Sequence, residues 1–153
     1  MNTTADLPIL VGVDGSASSV DALRYAVTLA GALGRPIRAV MTWDYAALID
    51  LYPTPGRSPE KETAAHLDAV IARAFTEGRP AGLTTRVVAG PPASVLIAES
   101  RHAEMLVLGT RGRGGFTGLL LGSVSAACAA HAHCPVLIVR HEKQEGRGEK
   151  QEG

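Results

Sequence analysis

The chain is short of lysine, of cysteine and of net charge. Only three of its 153 residues are lysine, at 61, 143 and 150, and only two are cysteine, at 128 and 134. Two cysteines cannot make a disulfide framework. Fifteen basic residues balance fifteen acidic ones, so no global field draws in nucleic acid or an anionic membrane surface. The first residues lack the charged start and long apolar core of a secretion signal, because Asp6 and Asp14 flank the short apolar run 7–13. These absences point to a cytoplasmic protein. Three catalytic signatures are missing as well: the Gly-x4-Gly-Lys-Ser/Thr phosphate loop, the Gly-x-Ser-x-Gly elbow and the His-Glu-x-x-His metal helix. No Asp, Glu, Lys or Arg occurs between Arg113 and Arg140, yet Gly114, Gly115, Gly118, Gly122, His131, His133 and Pro135 break that stretch into pieces too short for a bilayer.

What the chain does have is five short apolar runs rich in branched residues, at 7–13, 36–43, 84–89, 105–108 and 135–139. Each reads as a strand buried on both faces, and helical patterns separate them, which is the alternation of a parallel sheet with crossover helices. The first helix is expected to start at Ser18, to turn Val20, Leu23, Val27 and Ala30 inward and to stop at Gly34. The second is announced by Ser58 and Pro59, with Ala64, Leu67, Ile71 and Phe75 inward and Gly78 beyond its end. A third covers about 92–102 and a fourth about 123–132. The loop 44–57, with Pro53, Pro55 and Gly56, is long enough to border a site. Residues 1–140 thus form one domain. The tail 141–153 contains only charged, histidine, glycine and glutamine residues and is expected to be disordered.

Chemistry concentrates at two strand ends. After the first strand comes Val13-Asp14-Gly15-Ser16; after the fourth comes Gly109-Thr110-Arg111-Gly112, followed ten residues later by Gly122-Ser123 at the head of an alanine-rich helix. Glycines there let backbone approach an oxygen-rich ligand, and the unpaired N–H groups of a helix start attract anions. Each residue also has a purely structural reading: Asp14 closes an Asx-turn, and Ser123 caps a helix. Trp43 reads as core or rim. Cys128, His131, His133 and Cys134 do not make a zinc site, because they span a helix end and a strand start and the two histidines point to different faces.

The pattern Gly109-x2-Gly112-x9-Gly122-Ser123, together with Asp14 at the end of the first strand, resembles the ATP-binding branch of the universal stress protein family over about residues 7–140. The resemblance implies an α/β, Rossmann-like fold: an open five-stranded parallel sheet ordered 3-2-1-4-5 with helices on both faces. It implies that Gly109 and Gly112 admit ribose and phosphates, that Gly122, Ser123, Val124 and Ser125 hold the phosphates, and that Val13 and Thr42 flank the adenine. Asp14 would meet the ribose or a divalent cation, and Arg111 would reach the phosphates. Arg113 either joins it or stays solvated. The implied cofactor is ATP, ADP or AMP with Mg or Mn. The implied assembly is a homodimer through strand 135–140, with an unidentified regulatory protein partner.

The leading expectation is therefore a nucleotide-dependent regulatory or stress-response module. A slow ATPase or phosphotransferase, and a structural dimer without nucleotide, are the alternatives. Fast phosphoryl transfer needs a cationic clamp, a positioned metal and an oriented nucleophile; the sequence offers candidates for the first two alone.

Overall fold

Period-two alternation sends Ile9 and Val11 of the first strand, β1 (Ile9–Gly12), to one face of a sheet and Leu10 to the other. Both faces must then be covered, and helices cover them. The computed structural model describes residues 6–44, 56, 58–110 and 121–141. After β1 come α1 (Ala17–Leu33), β2 (Ile37–Trp43), α2 (Pro59–Ala74), β3 (Leu83–Ala89), α3 (Pro92–Glu99) with a 3-10 turn (Ser100–His102), β4 (Met105–Gly109), α4 (Ser123–His131) and β5 (Val136–Val139). The five strands form one Rossmann-like sheet in the order β3-β2-β1-β4-β5, every pair parallel. The expected order holds.

Two apolar clusters sandwich the sheet. Ile9, Val11, Ile37 and Val107 meet Leu23 of α1 and Leu67, Val70 and Ile71 of α2. On the opposite face Leu10, Val40, Leu106 and Leu108 meet Val95 and Leu96 of α3 and Cys128 of α4. Leu106 is fully buried; cutting such a leucine to alanine costs about 2–5 kcal/mol.

Burial departs from expectation at the sheet's margins. Thr84, Thr85 and Arg86 of β3 are exposed, and all four residues of β5 are only half-buried. These strands have one neighbour each, so helices and a second strand cannot enclose them as they enclose β1.

Helix boundaries follow capping chemistry. Ser16, not Ser18, caps α1: its Oγ accepts the Ser19 N–H at 3.2 Å, while Ser18 is buried in the first turn. Gly15, at φ +86°, supplies the left-handed bend that lets the chain enter the helix two residues early. At the far end Gly34 takes the left-handed conformation, as its sequence position predicts. Ser58 and Pro59 open α2 as expected. Its inward face is Leu67, Val70, Ile71 and Ala74, with Ala64 and Phe75 only half-buried. The Arg24 guanidinium of α1 donates through Nε to Ala74 O at 3.1 Å and ties the last turn of α2 to α1.

Residues 45–55 and 57 of the long loop and residues 142–153 of the tail lie outside the described residues. His141, at the root of that tail, sets its ring against Asp21 of α1, Nδ1 to Oδ2 at 2.5 Å. Among the described residues no helix is long and apolar enough to cross a membrane.

Candidate functional site

Strand order reverses at β1 and β4: β1 hands the chain outward to β2, and the chain returns to β4 on its other side. Ile9, Leu10 and Val11 pair with Met105, Leu106 and Val107, so the two strands end side by side. Ligands of open α/β sheets bind in the crevice at such a reversal. The segment 13–16, the residues Gly109 and Thr110, and the start of α4 all meet there.

At the β1 end, Asp14 Oδ1 accepts the Ser16 N–H at 2.9 Å, which is an Asx-turn. Ser19 Oγ donates to Ser16 O at 3.0 Å and accepts from the Asp14 N–H at 3.4 Å. The Asp14–Ser16 turn is therefore stitched into the first turn of α1. Val13 is buried in the cluster beneath α1, and its N–H donates to Val40 O at 2.9 Å. Thr42, half-buried, ends β2 on the sheet face opposite to that of Trp43.

At the β4 end the fold itself gives a reason for a glycine. A Cβ on Gly109 would lie 2.7 Å from both the carbonyl carbon and the oxygen of Ser18. Gly109 is required by the close approach of α1, whatever a ligand asks of it. Its carbonyl oxygen accepts from Ser125 Oγ at 2.7 Å, and the neighbouring Thr110 O accepts the Gly122 N–H at 2.7 Å. The first turn of α4 is thereby fastened to the last two carbonyls of the β4 segment.

Gly122 sits at the N-cap of α4 with φ −68° and ψ 166°, an extended conformation open to any residue. A glycine cap has no side chain: α1 and α2 are capped by serine oxygens, whereas α4, like α3 with Pro91 at its N-cap, has no side-chain cap. Among the described residues nothing accepts from the N–H groups of Ser123, Val124 and Ser125, which stand as donors at the crevice. The structure separates these three residues otherwise: Ser123 is exposed, Val124 packs on the cluster beneath α4, and Ser125 is buried with its hydroxyl turned inward. Arg111, Gly112 and Arg113 lie outside the described residues.

Sequence reasoning did not foresee two neighbours of the site. Ser18 abuts Gly109, and His66 of α2 brings Nε2 within 3.0 Å of where a Gly15 Cβ would stand. The run Ser16-Ala17-Ser18-Ser19 behind a glycine signalled a crowded turn; nothing local to His66, some fifty positions along the chain, could have placed it there.

The two thiols stand apart from the crevice. Burial pushes Cys128 above its ordinary value, helped by Cys134; burial also raises Cys134, opposed by a hydrogen bond to the Leu106 backbone and helped by Glu104. Both are neutral at physiological pH. Among the described residues no group of three or more His, Cys, Asp or Glu is placed to hold a metal ion.

Residues 7–140 match the model of the universal stress protein family, and the chain belongs to that family. It is 37% identical over 139 residues to a universal stress protein of Mycolicibacterium smegmatis, covering 88% of this chain and 46% of that protein. A universal stress protein of Methanocaldococcus jannaschii is 30% identical over 145 residues, covering 90% of this chain and 84% of that one. Among solved structures, a universal stress protein in complex with cAMP superposes with a TM-score of 0.65 at 28% identity, covering 89% of this chain and 97% of that chain. The chain spans about half the length of the mycobacterial relatives it matches.

Proposed function

We propose that this universal stress protein binds an adenine nucleotide, ATP in the first place, in the crevice between Asp14 and the start of α4, and that occupancy makes it a cytoplasmic regulatory module. The observation that carries the reading is the uncapped α4: a glycine at its N-cap leaves three backbone donors beside the carboxyl ends of β1 and β4, where the helix dipole favours negative charge. The cAMP bound by the solved relative supports the ligand class.

In this reading the N–H groups of Ser123, Val124 and Ser125 take the phosphates, helped by the exposed Ser123 hydroxyl and by Arg111 and Gly112. Val13 and Thr42 border the adenine through the ends of β1 and β2. Asp14 meets the ribose or a divalent cation. Mg or Mn bound with the nucleotide would neutralise its phosphates.

Mass spectrometry of the nucleotide released on denaturing the purified protein tests this directly. Retained ATP, ADP or AMP supports the reading; absence of nucleotide together with no calorimetric binding of ATP moves the assignment to a structural dimer. A steady-state phosphate-release assay reaching the roughly 1–100 s⁻¹ of kinases would move it to an ATPase or phosphotransferase.

A second element of the proposal is self-association. Among the described residues β5 has β4 as its one neighbour, and its residues Val136–Val139 are apolar and half-buried. Tyr25, 53% exposed, lines a groove between α1 and the end of β5. An open apolar edge of this kind pairs readily with a second copy across a two-fold axis, which satisfies the ladder groups of both.

A further inference from the structure

We infer that Ser125 is a positioning residue that sets the phosphate end of the site from within, and is not itself a side-chain ligand of the nucleotide. The inference rests on the nucleotide reading above and adds a division of labour between two serines of one helix turn. A carbonyl oxygen only accepts, so the Ser125 hydroxyl commits its single proton to Gly109 O at 2.7 Å. What remains on Oγ is lone pairs, which repel phosphate oxygens. Ser125 is also 5% exposed, whereas Ser123, two residues earlier, is open to solvent.

The bond has a specific mechanical position. Gly109 is held on its other side by the backbone of Ser18, with no room for a Cβ between them. Among the described residues, Ser125 on Gly109 O and the Gly122 N–H on Thr110 O fix the first turn of α4 to the β4 end. Together they determine how far the free N–H groups of α4 stand from the crevice. Donors aimed at an anion lose strength steeply with distance and misalignment, so loosening this joint weakens the grip on phosphates without touching the adenine end.

Three variants of the full chain test the assignment. Ser125→Ala removes the hydroxyl but keeps the backbone N–H, Ser125→Thr keeps a hydroxyl, and Ser123→Ala removes the exposed one. For Ser125→Ala we expect ATP affinity to fall about tenfold with adenosine affinity unchanged, the order of effect of one buried hydrogen bond. In the nucleotide-free protein, amide exchange at Gly122 should accelerate by a similar factor of about ten. Ser125→Thr should recover both, and Ser123→Ala should leave Gly122 exchange at the parent rate.

Weaker ATP binding by Ser125→Ala with unchanged Gly122 exchange would mean that the hydroxyl touches phosphate, and would overturn the inference. Equal losses for ATP and adenosine would reduce Ser125 to general packing, which also overturns it, as does no change at all. A parent chain that binds neither ligand overturns the nucleotide reading itself, a distinct result from any of these.

Discussion

Gly109 and Ser18 touch backbone to backbone: a methyl group built on the glycine would stand 2.7 Å from the serine's carbonyl carbon and oxygen. The end of the fourth strand and the first turn of the first helix are thus interlocked, although ninety residues of chain separate them.

Gly109→Ala should destabilise the protein by about 1–3 kcal/mol, because backbone cannot swing aside as a side-chain tip does. Gly31, in the interior of α1, has nothing within 4 Å of its Cβ position. Gly31→Ala should therefore stabilise by roughly 0.5–1 kcal/mol through helix propensity. Urea denaturation of the pair gives opposite shifts in midpoint. A Gly109→Ala midpoint at or above the parent's would refute the contact.

Gly122→Val should abolish ATP binding while leaving the fold intact. The backbone conformation at Gly122 suits any residue, so the substitution carries no backbone strain, and a branched side chain at the α4 N-cap is expected to exclude phosphate. Calorimetry is the check, with circular dichroism for the fold. Parent-like affinity in the variant would remove Gly122 from the site.

Ile138→Lys should convert a dimer to a monomer. Ile138 lies in the open edge strand and is half-buried, and a cation in each copy of a two-fold seam is repelled by its twin. Sedimentation of the parent at micromolar concentration should give about twice the 15.9 kDa chain mass. A parent that stays monomeric at every concentration would end the proposal of pairing through β5.

Alkaline pH should weaken the fold through the two thiols. Burial raises both above the ordinary value of 9.0, so the folded chain holds its protons more tightly than the unfolded one. The stabilisation is complete below that value and is lost as pH rises through the folded pKa. Urea midpoints followed across this range should fall less for Cys128→Ala than for the parent. An identical slope would show that the thiols do not contribute.

Local chemistry made much of this architecture readable. Branched runs gave the five strands, Ser58-Pro59 and Gly34 gave helix limits, and the resemblance gave the order in which the strands lie. Three features resisted, each for a long-range reason. Thr84, Thr85 and Arg86 are exposed because β3 ended up at an edge, and a strand's own letters do not say how many neighbours it will have. The cap of α1 is Ser16, not Ser18, and Ser18 lies instead against Gly109 of the distant fourth strand. Ser125 looked the same as Ser123 in one dimension; only the fold turns one hydroxyl inward and leaves the other outside.

The hydrogen bond from Gly122 N to Thr110 O has a consequence for how such a protein can diversify. The chain leaves at Thr110 and returns at Gly122 as one bonded pair, so the two ends of the intervening stretch are held together by the scaffold itself. Closing a longer insert at that junction adds only about 0.6 kcal/mol for each doubling of its length. Thr110 and Gly122 thus act as a clasp, holding the two ends of that stretch at a fixed separation at the end of the sheet.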